Sequence, residues 1–218
     1  MRTDTSRASV ILALGVFLSS CSHSYGTTPA SAPAPSTRPI GASAARAPAA
    51  PDVEFMSGMI GHHSQAIVMA KWAPTHGASP SLQIMAARII NAQEDEIVTM
   101  QRWLRDHNLP VPDAGTMGMK MKMDGMDHVM LMPGMLTEEQ MKQLDASRGV
   151  EFDRRFLTFM IQHHTGALTM VEKLFGSYGA AQDEVVFKFA NDVSADQGSE
   201  IDRMNKMLDA LPATSAKP

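Results

Sequence analysis

Cysteine occurs once in the 218 residues, which excludes a disulfide framework and any zinc or iron–sulfur site built on cysteine. Lysine and arginine, 19 together, do not outnumber the 23 aspartates and glutamates. The resulting net charge of -4 leaves nucleic acid outside the expected partners. Aromatic residues are scarce, at 6%. Hydrophobic residues at 44% and charged residues at 19% are ordinary for a globular chain and exclude wholesale disorder. Methionine is the excess, with 19 copies of a soft, flexible thioether donor.

The N-terminus reads as an export address. Arg2 and Arg7 precede an apolar run from Ala8 to Leu18, the length of a signal-peptide core and too short to span a bilayer. The run ends in Leu18-Ser19-Ser20-Cys21, which looks like a bacterial lipobox. Residues 1–20 are thus expected to be a lipoprotein signal peptide and Cys21 the lipidated residue. Residues 21–50, rich in Ser, Ala, Thr and Pro, are expected to be a disordered tether. The expected product is an exported, membrane-anchored lipoprotein in the periplasm or on the cell surface, with its folded part over 51–212.

That folded part is written twice. Phe55, Met59-Ile60, His62-His63, Ala66 and Met69 recur as Phe156, Met160-Ile161, His163-His164, Ala167 and Met170, at an offset of 101, and Asp52 matches Asp153. Gln93, Glu96, Ile97, Met100 and Leu104 recur as Gln197, Glu200, Ile201, Met204 and Leu208 at an offset of 104. Each copy reads as two helices. The first copy, 52–107, breaks at Pro74 and restarts with Ser79 as N-cap and Pro80 in the first turn. The second, 137–211, opens on Thr137-Glu138-Glu139-Gln140, the pattern of a capping box, and turns at Gly176-Ser177-Tyr178-Gly179. Two stacked helical hairpins predict an all-α fold, a four-helix bundle joined by a methionine-rich connector over 110–136. No stretch alternates with a period of two among Val, Ile and Thr, so no sheet is expected.

At about 100° per residue, Asp52, Phe55, Met59, His62, His63, Ala66 and Met69 fall on one face of the first helix. Met59 lies three and four residues before His62 and His63, so all three can surround one point, and Met160, His163 and His164 repeat the arrangement. Two equal histidine pairs, each beside a methionine, point to a metal site. Adjacent histidines diverge by about 100°, leaving open whether one ligates while the other orients it or reaches across the bundle. Glu96 and Glu200 stand open between solvated surface residues and partners for an imidazole N–H. Other methionines at helical spacing, such as Met100 and Met204, read as core.

Residues 117–135 hold eight methionines in 19 positions, with Gly, Lys and Asp between the sulfurs. This tract reads as flexible and solvent-exposed. Closely spaced thioethers at Met117, Met119, Met121, Met123 and Met126, with the imidazole of His128, suit Cu(I) or Ag(I); a sticky methionine surface for a partner protein is the competing reading. Imidazole must be neutral to ligate and its ordinary pKa is about 6.5, so acid is expected to release metal from the histidines before the thioethers.

The pattern Met-Ile-x-His-His-x-x-Ala-x-x-Met, followed by Gln-x-x-Glu-Ile-x-x-Met, resembles the domain-of-unknown-function 305 family, bacterial exported proteins with a ferritin-like helical fold. The two-copy arrangement is similar to that of periplasmic copper-binding CopM-type proteins. The resemblance implies copper or silver binding and metal resistance. It points to His62, His63, Met59, His163, His164 and Met160. The reading that follows is a non-catalytic envelope lipoprotein that binds copper, chiefly Cu(I), for buffering or transport, with a copper-handling protein as a possible partner. The alternatives are a copper oxidase and a metal-free interaction module. A di-iron site is disfavoured, because no Glu-x-x-His occurs in the chain.

Overall fold

The computed structural model describes residues 47–115, 117–123 and 126–213. The expectations for residues 1–46, including the signal peptide and Cys21, lie outside them. Five helices follow in order: α1 (Ala50–Lys71), α2 (Pro80–Asp106), α3 (Glu138–Ala146), α4 (Gly149–Phe175) and α5 (Glu184–Asp209). The all-α bundle is the fold observed. Pro in the first turn starts α2 as expected, but the Ser79 side chain makes no capping bond. Thr137 and Gln140 do form the capping box of α3, each side chain accepting from the other's backbone N–H at 3.2 and 3.0 Å. Asp183 caps α5 by accepting from Val185 and Val186.

Helices α1 and α2 pack as one hairpin, α4 and α5 as the other, and α1 against α4 joins them. The joining pair is antiparallel: Glu54, early in α1, bonds to Lys173, late in α4, and the rings of His62 and His163 meet midway. The hairpins also exchange caps. Buried Asp52 of α1 accepts the backbone N–H of Ala181, before α5, at 2.7 Å. Its repeat equivalent, buried Asp153 of α4, accepts the N–H of Ser79, before α2, at 3.1 Å. Each repeat thus satisfies a turn of the other, a bond that a free hairpin would lose.

The core divides in two. One apolar cluster takes Phe55 to Ile60 of α1, the C-terminal half of α2, Ala167 to Leu174 of α4 and the start of α5. The other takes Ala66 to Ala73, the N-terminal half of α2, Phe152 to Met160 and Met204. Buried residues surround α1 on every side, Gly58, Gly61, Ser64 and Gln65 included, rather than forming the single face expected. The connector covers the side that would otherwise face solvent.

That connector is the departure from the helical pattern. Met119–Met123 (β1) and Met126–Met130 (β2) pair antiparallel, with Met119 opposite Met130, Met121 opposite His128 and Met123 opposite Met126. No sheet was expected, because strand formers were sought among branched residues. The Met-Lys alternation in this segment is nonetheless a period of two, and hydrogen bonding to a partner strand suffices to fix it.

Candidate metal centre

Between the two apolar clusters lies a polar layer. His62 and His63 sit between Ile60 and Ala66, and His163 and His164 between Met160 and Ala167; all four are fully buried. Gln93 falls between Ile89 and Ile97, and Gln197 between Val193 and Met204, and both are also buried. The closest imidazoles come from different repeats: the ring centres of His62 and His163 are 3.8 Å apart, against 6.4 Å for His62–His63 and 6.2 Å for His163–His164. The sequence suggests two separate histidine pairs; the antiparallel α1–α4 crossing brings them into one layer.

The hydrogen bonds fix which nitrogens are available. Nε2 of His62 lies 3.0 Å from the carbonyl oxygen of Pro133, which can only accept, so Nε2 carries the proton and Nδ1 the lone pair. Nε2 of His63 donates to Oε2 of Glu96 at 2.6 Å, and Nε2 of His164 to Oε2 of Glu200 at 2.7 Å. Both carboxylates, left open by the sequence, therefore orient an imidazole and increase the electron density on its far nitrogen. Nδ1 of His62, His63 and His164 and both nitrogens of His163 have no partner. The amides of Gln93 and Gln197 have none either. Of the eleven buried unpartnered side-chain polar atoms among the described residues, nine thus belong to this one layer. Each costs roughly 1–3 kcal/mol if left so, which makes the layer a place for ions or water rather than apolar packing.

Burial, then the neighbouring ring of His63, lowers the pKa of His62 to about 3. Burial and the rings of His62 and His164 also hold His163 well below the ordinary imidazole value. Both imidazoles are thereby kept neutral, the form able to ligate, well below pH 6.5, which runs against the expectation that acid would protonate the histidines first. Among the described residues no three His, Cys, Asp or Glu side chains stand close enough to hold one ion by themselves. A complete donor set needs the sulfurs. Met59 and Met160, fully buried one turn from the histidines, lie in opposite apolar clusters, one on each side of the layer.

The connector is docked, not free. Gly61 of α1 touches the backbone of Gly118 so closely that a Cβ there would fall 2.5 Å from the Gly118 oxygen. A Cβ on Gly166 of α4 would fall 2.0 Å from the oxygen of Pro133. Gln65 holds Leu136 at both ends, donating to its oxygen at 3.0 Å and accepting its N–H at 2.6 Å. Gln162 donates to the oxygen of Gly134 at 3.2 Å. At equivalent repeat positions, Gly61 matches Gln162 and Gln65 matches Gly166. The two copies differ where they receive the connector.

Of the candidate residues in the tract, Met117 is exposed, Met119, Met121 and Met123 belong to β1, and Met126 and His128 to β2. The ribbon replaces the flexible tract expected from its composition. Sequence reasoning missed Gln93, Gln197 and the clamp of Gln65. The two former were visible as repeat matches, but a glutamine's burial leaves no mark in sequence. The clamp depends on a contact 71 residues away.

Among known proteins, the chain matches the family described as Domain of unknown function (DUF305) over residues 52–208. A DUF305 structure from Streptomyces coelicolor, described as a secreted-protein candidate, is similar with a TM-score of 0.62 at 26% identity, over 77% of this chain and 98% of that one. CopM in its Cu(I)-bound form is similar with a TM-score of 0.55 at 28% identity, over 72% of this chain and 95% of that one. Its Ag-bound form obtained by co-crystallization gives 0.55 at 27%, over 74% and 98%. An uncharacterized protein of Acanthamoeba polyphaga mimivirus is 38% identical over 58 residues, 27% of this chain; the match spans 38% of that relative's length.

Proposed function

Because the chain belongs to the DUF305 family, we propose that it is an exported protein that binds copper, chiefly Cu(I), and silver, for buffering or transport and without catalysis. The observation that carries this reading is the layer of unpartnered, fully buried imidazole nitrogens. Nδ1 of His62, His63 and His164, the ring of His163 and the thioethers of Met59 and Met160 would supply the donors, with no single ion drawing on three of the imidazoles. A mixed nitrogen and sulfur set favours soft monovalent metal over Mg²⁺ or Ca²⁺. CopM, of similar fold, binds Cu(I), Cu(II) and Ag, which supports the choice of metal. The ribbon would add a second site from Met117, Met119, Met121, Met123, Met126 and His128; the register that sets Met121 against His128 and Met123 against Met126 supports it. Export rests on residues 1–20 and anchoring on lipidation of Cys21. A copper oxidase would use the same layer but needs an open coordination position.

The test replaces His163, whose two nitrogens are both without partners, by leucine. Wild type and His163→Leu are titrated anaerobically with Cu(I), Ag(I) and Zn(II), and the metal retained after dialysis is counted. Wild type should retain Cu(I) and Ag(I) over Zn(II), and the variant should lose the share of both held in the layer while the ribbon keeps its own. Without metal the variant should melt no lower than wild type, since replacing an unsatisfied polar group by an apolar one is neutral or stabilising. Full metal retention by a folded variant would refute the site.

A further inference from the structure

The four histidines are wholly buried, so an ion must reach them along some face of the bundle. The α1–α4 face is closed: Gly61 and Gly166 bear directly on the connector backbone, and Nε2 of His62 is taken by Pro133. On the opposite side, a cavity of about 510 Å³ lies between α2 and α5. Five carboxylates line it, those of Asp95, Glu96, Glu184, Asp192 and Asp196, against one cation, Lys188, which is itself paired with Asp192.

Glu96 belongs to both places. It lines the cavity, its side chain is 19% exposed, and its Oε2 lies 2.6 Å from Nε2 of fully buried His63, whose Nδ1 has no partner. Glu200, 25% exposed, makes the equivalent bond to His164. Among the polar groups of the layer, these carboxylates are the ones that reach solvent. Asp196 feels the field here: burial and then the charges of Glu96, Asp192 and Glu200 hold its carboxyl above the usual range. A cleft lined by one sign of charge concentrates ions of the opposite sign and raises their association rate.

We infer that the acidic groove between α2 and α5 is the way in for a monovalent metal cation, which passes Glu96 and Glu200 to reach the buried histidines. This rests on the proposed metal-binding function and adds the path by which the ion arrives. Asp95, Asp192 and Asp196 attract the ion without forming its final site. They therefore govern how fast the layer fills, not how much metal it holds.

The experiment uses the full chain and aqueous Ag(I) in a nitrate buffer free of chloride. Uptake is followed by stopped-flow tryptophan fluorescence, and bound silver is counted after gel filtration. The triple variant Asp95→Asn, Asp192→Asn, Asp196→Asn is compared with a control of equal charge change on other surfaces, Glu138→Gln, Glu139→Gln, Glu172→Gln. At low ionic strength the groove variant should take up silver about tenfold more slowly than wild type, and the control at the wild-type rate. The difference should shrink as nitrate is raised, with the final silver content unchanged throughout. Equal rates in groove variant and control would overturn the path. So would a lowered final silver content, since the aspartates would then be ligands. A wild-type chain that takes up no silver would instead overturn the function on which the path rests.

Discussion

His62 is held neutral by burial to about pH 3, whereas in an unfolded chain its ring titrates near 6.5. Between those values the unfolded chain binds a proton that the folded one refuses, so stability falls as pH falls through this window and is flat above it. His163 is shifted in the same direction. The metal-free protein should lose about 1 kcal/mol per such histidine between pH 6.5 and 5.5, read from urea midpoints at fixed ionic strength. Midpoints unchanged from pH 7.5 to 5 would mean that these imidazoles are hydrated or already paired. Gln93 and Gln197 teach the same lesson in a side chain that does not titrate. Their amides are buried at repeat-equivalent positions without partners, a cost that apolar residues there would avoid.

At the scale of elements, the connector behaves as a fifth packing partner of α1 and α4. Gly166 is the sharpest contact, because an added methyl group meets backbone on the other side, which cannot rotate away. Gly166→Ala should cost about 1–3 kcal/mol and lift the connector, measured as a lower melting temperature and faster proteolysis within residues 117–135. Gln65→Ala should also loosen the connector by removing both bonds to Leu136, with less effect on the packing of α4. A Gly166→Ala protein as stable and as protease-resistant as wild type would show that the connector rests on the bundle only loosely. The helices themselves were legible: proline and the capping box mark the starts of α2 and α3, although the single face the period suggests for α1 is not what is seen, since α1 is buried on every side. The ribbon was not, since β1 and β2 are defined by pairing with each other and by β1 lying against α1.

At the scale of the whole molecule, two hairpins share one polar layer and exchange the caps of Asp52 and Asp153. A ligand bound in that layer holds both halves together. Metal should therefore stabilise the entire described bundle in one transition, by about 2.7 kcal/mol at a hundred times the dissociation constant, read as a single higher melting temperature. Two transitions, only one of them moved by metal, would mean that the halves bind independently. Attachment is a separate property of the chain. If Cys21 carries lipid, the wild-type protein should fractionate with membranes and Cys21→Ser should be released or left unprocessed. Equal solubility of the two would remove the anchor while leaving the metal layer untouched.

The sequence by itself determined the repeat, the helical class, the paired histidines and the methionine excess. These are local or periodic properties, carried by residue type and spacing along one chain. Tertiary structure decided that His62 meets His163 rather than His63, because an antiparallel crossing of α1 and α4 superposes residues 101 apart. It also decided that Glu96 and Glu200 orient imidazoles, and that the connector closes one face and leaves the acidic face open. Such contacts depend on which helix faces lie opposite one another, and the spacing along a single helix carries no information about its neighbour.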